Sequence, residues 1–189
     1  MEQIKELESP RLRLRLWRDT DLPAFAALCA DPKVMRYFPA PLSRLESAAL
    51  IGRFRGHFAE YGYGMWALEH NDTGAFIGCT GLLNVSFVAA FTPAVEIGWR
   101  LAPEYWGLGY ASEAAWAVLR CAFDRLALDQ VVSFTSEPNL PSQKVMQAIG
   151  MQCDLEGSFE HPRLDEGHPL RPHVLYRISR AQWLETLHG

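Results

Sequence analysis

The sequence predicts a mixed α/β (α+β) domain: a mostly antiparallel sheet of six to seven strands with helices on both faces. Three observations predict it. Short runs that alternate apolar and polar residues, joined by turn residues, come early and read as hairpin strands. Later apolar runs are separated by stretches with apolar residues at helical spacing, the mark of helix-connected strands. The order that results, β α α β β β α β α β β α, fills residues 1–189 without an internal repeat, a low-complexity tract or a linker, so one domain is expected.

From the N-terminus, Arg11-Leu12-Arg13-Leu14-Arg15-Leu16 alternates strictly and reads as a half-buried strand whose arginines face solvent. Asp19-Thr20-Asp21 offers caps to a helix striped with Leu22, Phe25, Leu28 and Cys29, which stops before Asp31-Pro32. Tyr37-Phe38-Pro39-Ala40-Pro41 is a loop. Ser43 and Glu46 form a capping box, each side chain satisfying the other residue's backbone N–H. Leu50, Ile51, Phe54 and Phe58 give that helix its buried face, and Tyr61-Gly62-Tyr63-Gly64 ends it. Residues 65–69 and 76–85 read as strands joined by the turn Asn71-Asp72-Thr73-Gly74. Val95–Leu101 is the next strand, closed by Ala102-Pro103. A loop with Gly107 and Gly109 then opens a helix with Ala111, Ala114, Ala115, Val118, Leu119, Ala122, Phe123 and Leu126 on one stripe.

Residues 131–135 are apolar and β-branched, as in a buried strand. Asn139 and Pro141 open a further helix, with Val145, Met146 and Ile149 inward and Gly150 at its end. Strands at 152–159 and 174–178 flank a loop rich in Pro, Gly and His. Ser179 and Gln182 form a second capping box for a terminal helix carrying Trp183, Leu184 and Leu187.

The totals exclude several functions. A chain of 189 residues with 49% apolar content can bury a core without covalent or metal staples. A net charge of −4 runs against a dedicated nucleic-acid binder. No apolar run reaches the ~18 residues of a membrane span, and the first residues carry no secretory pattern. A cytoplasmic protein with neither nucleic-acid nor membrane partners is expected. Four cysteines, Cys29, Cys79, Cys121 and Cys153, sit in apolar elements without a C-x-x-C pair and read as buried free thiols.

The chemistry concentrates at the glycine loop. A glycine loop at a helix N-terminus leaves backbone N–H groups unpaired at the positive end of the helix dipole, which suits a phosphate or pyrophosphate. A P-loop would need a lysine that is absent here. A dinucleotide fingerprint would need a third glycine where Ser112 stands, in the first turn of a βα unit rather than after a meander. Trp106-Gly107-Leu108-Gly109-Tyr110-Ala111 instead resembles the Q/R-x-x-G-x-G/A signature of the GCN5-related N-acetyltransferase (GNAT) family. Asn139-Leu140-Pro141-Ser142-Gln143-Lys144-Val145, followed by Ile149-Gly150-Met151, resembles a second signature, that of the branch acetylating ribosomal-protein N-termini. Residues 11–18, 64–67 and Val95-Glu96-Ile97-Gly98 resemble that branch too, so the similarity runs from Ser9 to Tyr176. It departs at Trp106, which stands where Gln or Arg usually opens the glycine signature.

The resemblance implies a GNAT-like sheet and acetyl transfer from acetyl-CoA to a primary amine, by direct attack in a ternary complex and without a metal. The amine would be a protein N-terminal α-amine or belong to a small molecule. The resemblance also implies a splayed strand whose backbone at Ile97, Trp99 and Leu101 pairs with the pantetheine arm. The backbone N–H groups of Leu108, Gly109, Tyr110, Ala111 and Ser112 would hold the pyrophosphate, and Gly107 and Trp106 would complete the coenzyme loop, unless Trp106 only packs beside it. Ser142 would act on the coenzyme sulfur as acid or would cap its helix. Asn139 would bond the pantetheine amides or cap the same helix. Lys144 would meet the 3′-phosphate or stay solvated.

Glu96, among apolar neighbours on the strand that reaches the site, is the candidate base; a structural carboxylate is the alternative. Tyr37, Trp66, Glu160 and His161 are candidates for the acceptor pocket. Glu160, His161, His168 and His173 crowd the last hairpin, but their spacing fits no zinc pattern. A non-catalytic acyl-CoA-binding module, an acyltransferase using a longer acyl-CoA, and a homodimer remain open at this point, because fold does not fix function.

Overall fold

A computed structural model of the chain describes residues 3–188. Its strands are β1 (Glu6–Glu8), β2 (Leu12–Arg15), β3 (Met65–His70), β4 (Phe76–Asn84), β5 (Val95–Leu101), β6 (Gln130–Ser136), β7 (Gln152–Glu160) and β8 (Pro172–Ser179). The helices are α1 (Leu22–Ala30), α2 (Arg44–Tyr61), α3 (Tyr110–Arg120), α4 (Leu140–Ala148) and α5 (Arg180–His188). One eight-stranded sheet runs in the order β1-β2-β3-β4-β5-β6-β8-β7. The expected six to seven strands become eight through β1, whose three residues are too few to show a period. Its pairing sets Glu6 opposite Arg15 and Glu8 opposite Arg13.

Neighbours are antiparallel except β5 and β6. A parallel pair needs a crossover, and α3 provides it. β5 pairs with β4 along its whole length, from Val95 to Leu101. With β6 it shares a single register pair, Glu96 opposite Val132. Both strands run on past that pair without continuing the ladder.

Strand alternation sorts two cores. Leu12, Leu14, Trp66, Leu68, Ile77, Leu82, Ile97 and Leu101 point to the face covered by α3 and α5. On α3, Ala114 and Ala115 are fully buried, and side chains this small let the helix lie close to the sheet. Met65, Ala67 and Cys79 point to the other face, where Phe25 and Cys29 of α1 and Ile51 and Phe54 of α2 enclose Trp17. Both capping boxes form: Ser43 with Glu46 and Ser179 with Gln182.

Four expectations need correction. Arg15 is buried rather than solvated: its guanidinium forks onto Asp21 at 2.8 and 2.9 Å and its Nε donates to Glu69 at 2.6 Å. Asp21 stands at the N-cap of α1 but makes no side-chain cap bond there. The helix after the glycine loop does not run evenly to Leu126. It widens at Cys121–Arg125 into a π turn, closed by Leu126 N–H on the Cys121 carbonyl, and Phe123 stacks on Trp183 at 5.6 Å. Cys153 is exposed, while Cys29, Cys79 and Cys121 are buried free thiols. No helix among the described residues is long and apolar enough to cross a membrane.

Candidate active site

The glycine loop leaves β5 through a tight turn at Pro103–Tyr105. Gly107 and Gly109 have φ of 71° and 82°, left-handed values that an L side chain adopts only under strain. Gly109 caps α3 without a side chain, and the first inbound helical bond runs from Glu113 N–H to its carbonyl. The amides of Tyr110, Ala111 and Ser112 therefore lie ahead of the helical ladder, as an anion cradle requires. A Cβ on Gly107 would meet nothing within 4 Å, and one on Gly109 would meet only Arg11 Nη2 at 3.5 Å. Trp106 donates its indole N–H to the Leu101 carbonyl at 2.8 Å and leaves its ring 47% exposed.

A contact across the sequence anchors this loop. The Glu113 carboxylate accepts from Ser9 Oγ, Arg11 N and Arg11 Nε at 2.7, 2.8 and 2.6 Å. Arg11 Nη1 reaches the Leu108 carbonyl at 3.0 Å, and the guanidinium lies over the Tyr110 ring at 4.1 Å. Burial alone would raise the Glu113 pKa; the bonds from Ser9 and Arg11 outweigh it and hold the carboxyl below its ordinary range. Arg11 and Glu113 escape sequence reading because they lie about a hundred residues apart, and the arginine alternation looked like a solvated face.

Beside the loop, β5 and β6 part. Ser133 Oγ donates to the Ile97 carbonyl at 2.9 Å, just past the Glu96–Val132 pair. Trp99 donates to Ser142 Oγ at 3.1 Å. The Ser142 hydroxyl proton has no acceptor among the described residues and stays available. Asn139 caps α4 by accepting from Ser142 N and ties it to β6 by donating to Thr135 Oγ1 at 2.8 Å. Its side chain is thus engaged at both ends. Lys144 is exposed.

Alternation places Glu96, Gly98 and Arg100 on the face opposite Ile97, Trp99 and Leu101. A Cβ on Gly98 would meet nothing within 4 Å, so the sheet there is uncovered. Burial pushes the Glu96 carboxyl up to about 7, offset in part by the Arg163 charge. No described residue hydrogen-bonds or ion-pairs the Glu96 carboxylate. Arg163 instead spends its Nη2 on the Ser86 carbonyl and hydroxyl, joining the β7–β8 loop to the β4–β5 loop.

An aromatic wall stands on that face. Phe87 and Phe91 from the β4–β5 loop meet Phe134 of β6 and Phe159 of β7, with centroids 5.0 to 5.8 Å apart for the Phe91–Phe159, Phe87–Phe134 and Phe91–Phe134 pairs. His161 and His173 complete it, 4.8 Å from each other. Burial pushes His161 down to about 4, helped by the charges of His173 and Arg163, and burial also lowers His173. Both imidazoles are neutral near pH 7.

The acceptor candidates divide. Trp66 leaves the site: it is 0% exposed in the core of the α3 face, with its indole N–H on the Ile4 carbonyl at 3.0 Å. The strand's alternation turns it away from Glu96. Tyr37 is half-buried beside Phe38, with Arg36 over its ring at 5.4 Å. Glu160 is exposed and pairs with Arg171 at 3.1 Å. His161 joins the aromatic wall. Tyr176 is buried, with its hydroxyl between Gln143 and Gln147. Arg100 and the four phenylalanines were not anticipated, since nothing in their local sequence marks them. Among the described residues no group of three or more His, Cys, Asp or Glu is placed to hold a metal.

The chain is similar to known proteins. The family model described as an acetyltransferase (GNAT) domain matches residues 11–152. The uncharacterized N-acetyltransferase YnaD of Bacillus subtilis is 30% identical over 179 residues, covering 94% of this chain and 98% of that protein. The FsC-acetyl coenzyme A-N(2)-transacetylase of Aspergillus fumigatus is 36% identical over 98 residues, 49% of this chain and 39% of that one. The crystal structure of a GNAT-family acetyltransferase from Bacillus anthracis superposes with a TM-score of 0.77 at 24% identity, covering 93% of this chain and 99% of that one. With a matching family model over most of its length and a full-length relative at this identity, the chain belongs to the GNAT acetyltransferase family and is an acyltransferase.

Proposed function

We propose that the chain transfers an acetyl group from acetyl-CoA to a primary amine, by direct attack within a ternary complex. One observation carries the reading: β5 and β6 separate directly beyond Glu96–Val132, with the glycine loop on one side of the opening and Glu96 on the other. When bound, acetyl-CoA supplies an acetyl group activated as a thioester. The backbone of Ile97, Trp99 and Leu101 would hold the pantetheine arm, and the amides from Leu108 to Ser112 the pyrophosphate.

Glu96, with a pKa near 7, takes the proton that the amine nitrogen sheds as its bond to the acetyl carbon forms and the carbon–sulfur bond breaks. Ser142 offers its free hydroxyl proton to the departing sulfur, while Trp99 fixes the oxygen. The aromatic wall and the Gly98 opening form the acceptor side. The Aspergillus relative is by name an acetyl coenzyme A-N(2)-transacetylase, which supports both the donor and the acceptor atom.

Ligand-induced stabilisation tests the donor. A ligand that binds only the native state, at a hundredfold excess over Kd, adds roughly 2.7 kcal/mol. That is roughly 5–10 °C in Tm for a chain of this size. Acetyl-CoA and CoA are expected to give this shift and NAD and ATP much less. An equal shift from NAD would return the loop to a dinucleotide role. An acetyl-CoA shift without amine-dependent thiol release would leave only a coenzyme-binding module.

The loop itself is tested by Gly109→Val. The positive φ costs about 1–2 kcal/mol with a side chain, and the space around the position is otherwise open. The branched side chain would fill the anion cradle. CoA affinity is expected to fall at least tenfold while Tm drops by only a few degrees. A folded variant with parental CoA affinity would remove this loop from the site.

A further inference from the structure

We infer that the acceptor is an amine that carries a carboxylate a few bonds away, and that Arg100 is the residue that binds the carboxylate. The inference rests on the acetyl-transfer reading above and names the chemistry of its second substrate.

The observation is a cation without a counter-ion. Arg100 is half-buried, and its Nε is buried without a hydrogen-bond partner. Its one hydrogen bond goes from Nη1 to Cys29 Sγ at 3.0 Å, and a thiol sulfur is a weak acceptor. Cys79, directly opposite on β4, offers no negative charge: burial pushes its thiol up to about 12, with the Arg100 charge opposing. Every other partly or fully buried arginine has an acidic partner or backbone carbonyls among the described residues; even Arg171, whose buried Nε makes no hydrogen bond, lies 3.1 Å from the Glu160 carboxylate. Arg15 has Asp21, Arg177 has Asp154, and Arg180 has the carbonyls of Phe123 and Leu128. A half-buried charge whose Nε is shut off from water and has no acidic partner is costly, which points to a ligand.

The position fits an acceptor. Glu96 and Arg100 flank Gly98 at two residues on either side, on one face of β5. Their Cα atoms are thus about 13 Å apart along the strand. The surface between them is open at Gly98. Less the lengths of the two side chains, that span suits a molecule with its amine toward Glu96 and its anion toward Arg100. Phe38 lies over the guanidinium at 4.3 Å. Stacking occupies the flat face and leaves Nη2, which makes no hydrogen bond among the described residues, for a carboxylate. The coenzyme's own phosphates are excluded as the partner by alternation, since Trp99 and Leu101 face its side and Arg100 faces away.

A matched acceptor series tests the inference. Thiol release from acetyl-CoA is followed with phenylalanine against phenylalaninamide, and with aspartyl against asparaginyl peptides. The amide's amine is the less basic of its pair, so amine basicity by itself favours the amide at neutral pH. The carboxylate acceptors are nevertheless expected to lead by at least tenfold in kcat/KM, mainly through KM. A lead confined to phenylalanine identifies a free amino acid, and one confined to the aspartyl peptides an acidic N-terminus. Arg100→Gln should collapse the ratio to near one while acetyl-CoA affinity holds. Should that variant not fold, Arg100→Lys, which keeps the charge and loses the fork, should lower the ratio part way. Amides reacting as well as carboxylates in the parent chain, or a ratio unchanged by Arg100→Gln, would overturn the inference and leave acetyl transfer standing. Thiol release that no amine stimulates would overturn both.

Discussion

Glu96→Gln is expected to slow acetyl transfer by about 10²–10⁴-fold at neutral pH and, at the same time, to make the folded chain more stable. Both effects come from one fact: folding buries this carboxylate without giving it a hydrogen bond, and its pKa rises from about 4.5 to about 7. Between those values the native state binds more protons than the unfolded chain. The stability tied to the group is therefore fully present below about pH 4.5 and is lost as pH rises through about 7. Glutamine removes that loss. Above pH 7 the gain is on the order of 2 kcal/mol, allowing for the water that still reaches a half-buried side chain. Chemical denaturation at pH 4.5 and pH 8 should show near-equal stabilities at the first and a more stable variant at the second. The rate profile carries the second signature. The parent's kcat/KM should rise through a limb near 7. The variant should keep only the acceptor's own limb, near about 8 for an α-amine or 10.4 for a lysine. A variant with the parent's rate and profile, or one that loses stability, would make Glu96 a structural carboxylate.

The parts of this site that were legible in the sequence are those with a local signature. The strand Val95–Leu101 has the predicted bounds, and the glycine loop and the Asn139 cap lie where backbone geometry demands particular residues. The parts that were not legible depend on pairing across the chain. The alternation of β2 predicts which residues face away from Leu12 and Leu14, but not whether water or protein meets them. Arg13 stays exposed and pairs with Glu6, while Arg15 is buried against Asp21 and Glu69. Trp66 was attractive as an aromatic near the site, and only the phase of β3 shows that it faces the other core. The acceptor face is assembled from β5, β6, β7 and the β4–β5 loop, so Phe87, Phe134 and Phe159 carry no joint pattern in sequence. Arg100 is a partly buried arginine marked only by the acidic or carbonyl partner it lacks, which no local sequence pattern shows.

The other large effect is expected far from the reacting atoms. Asp21→Ala should cost about 3 kcal/mol, because it takes both forked bonds from the buried guanidinium of Arg15 and leaves it only the Nε bond to Glu69. Asp21 also accepts from Arg18 N–H at 2.7 Å, so a backbone donor is left without its partner as well. Glu69 cannot take over. It already serves Arg15 and Arg18 at 2.6 and 2.8 Å. Burial would raise its pKa, but the bond and charge of Arg15 prevail and hold it below the ordinary range. Its stabilising share is therefore present above about pH 4.5 and fades as pH falls through its lowered value, in parent and variant alike. Urea denaturation measures the loss. A double variant, Arg15→Met with Asp21→Leu, should recover part of it, because a buried ion pair replaced by apolar groups is often neutral, while the Arg18 N–H stays without its acceptor. A loss below about 1 kcal/mol for Asp21→Ala would mean that water reaches Arg15 after all. The network also bears on acceptor choice. It fixes the start of α1 to β2 and β3, and α1 carries Cys29 and leads to Phe38, the two groups against Arg100. The folded fraction of Asp21→Ala should therefore lose discrimination between carboxylate and amide acceptors before it loses acetyl-CoA affinity, which depends on the opposite face of β5.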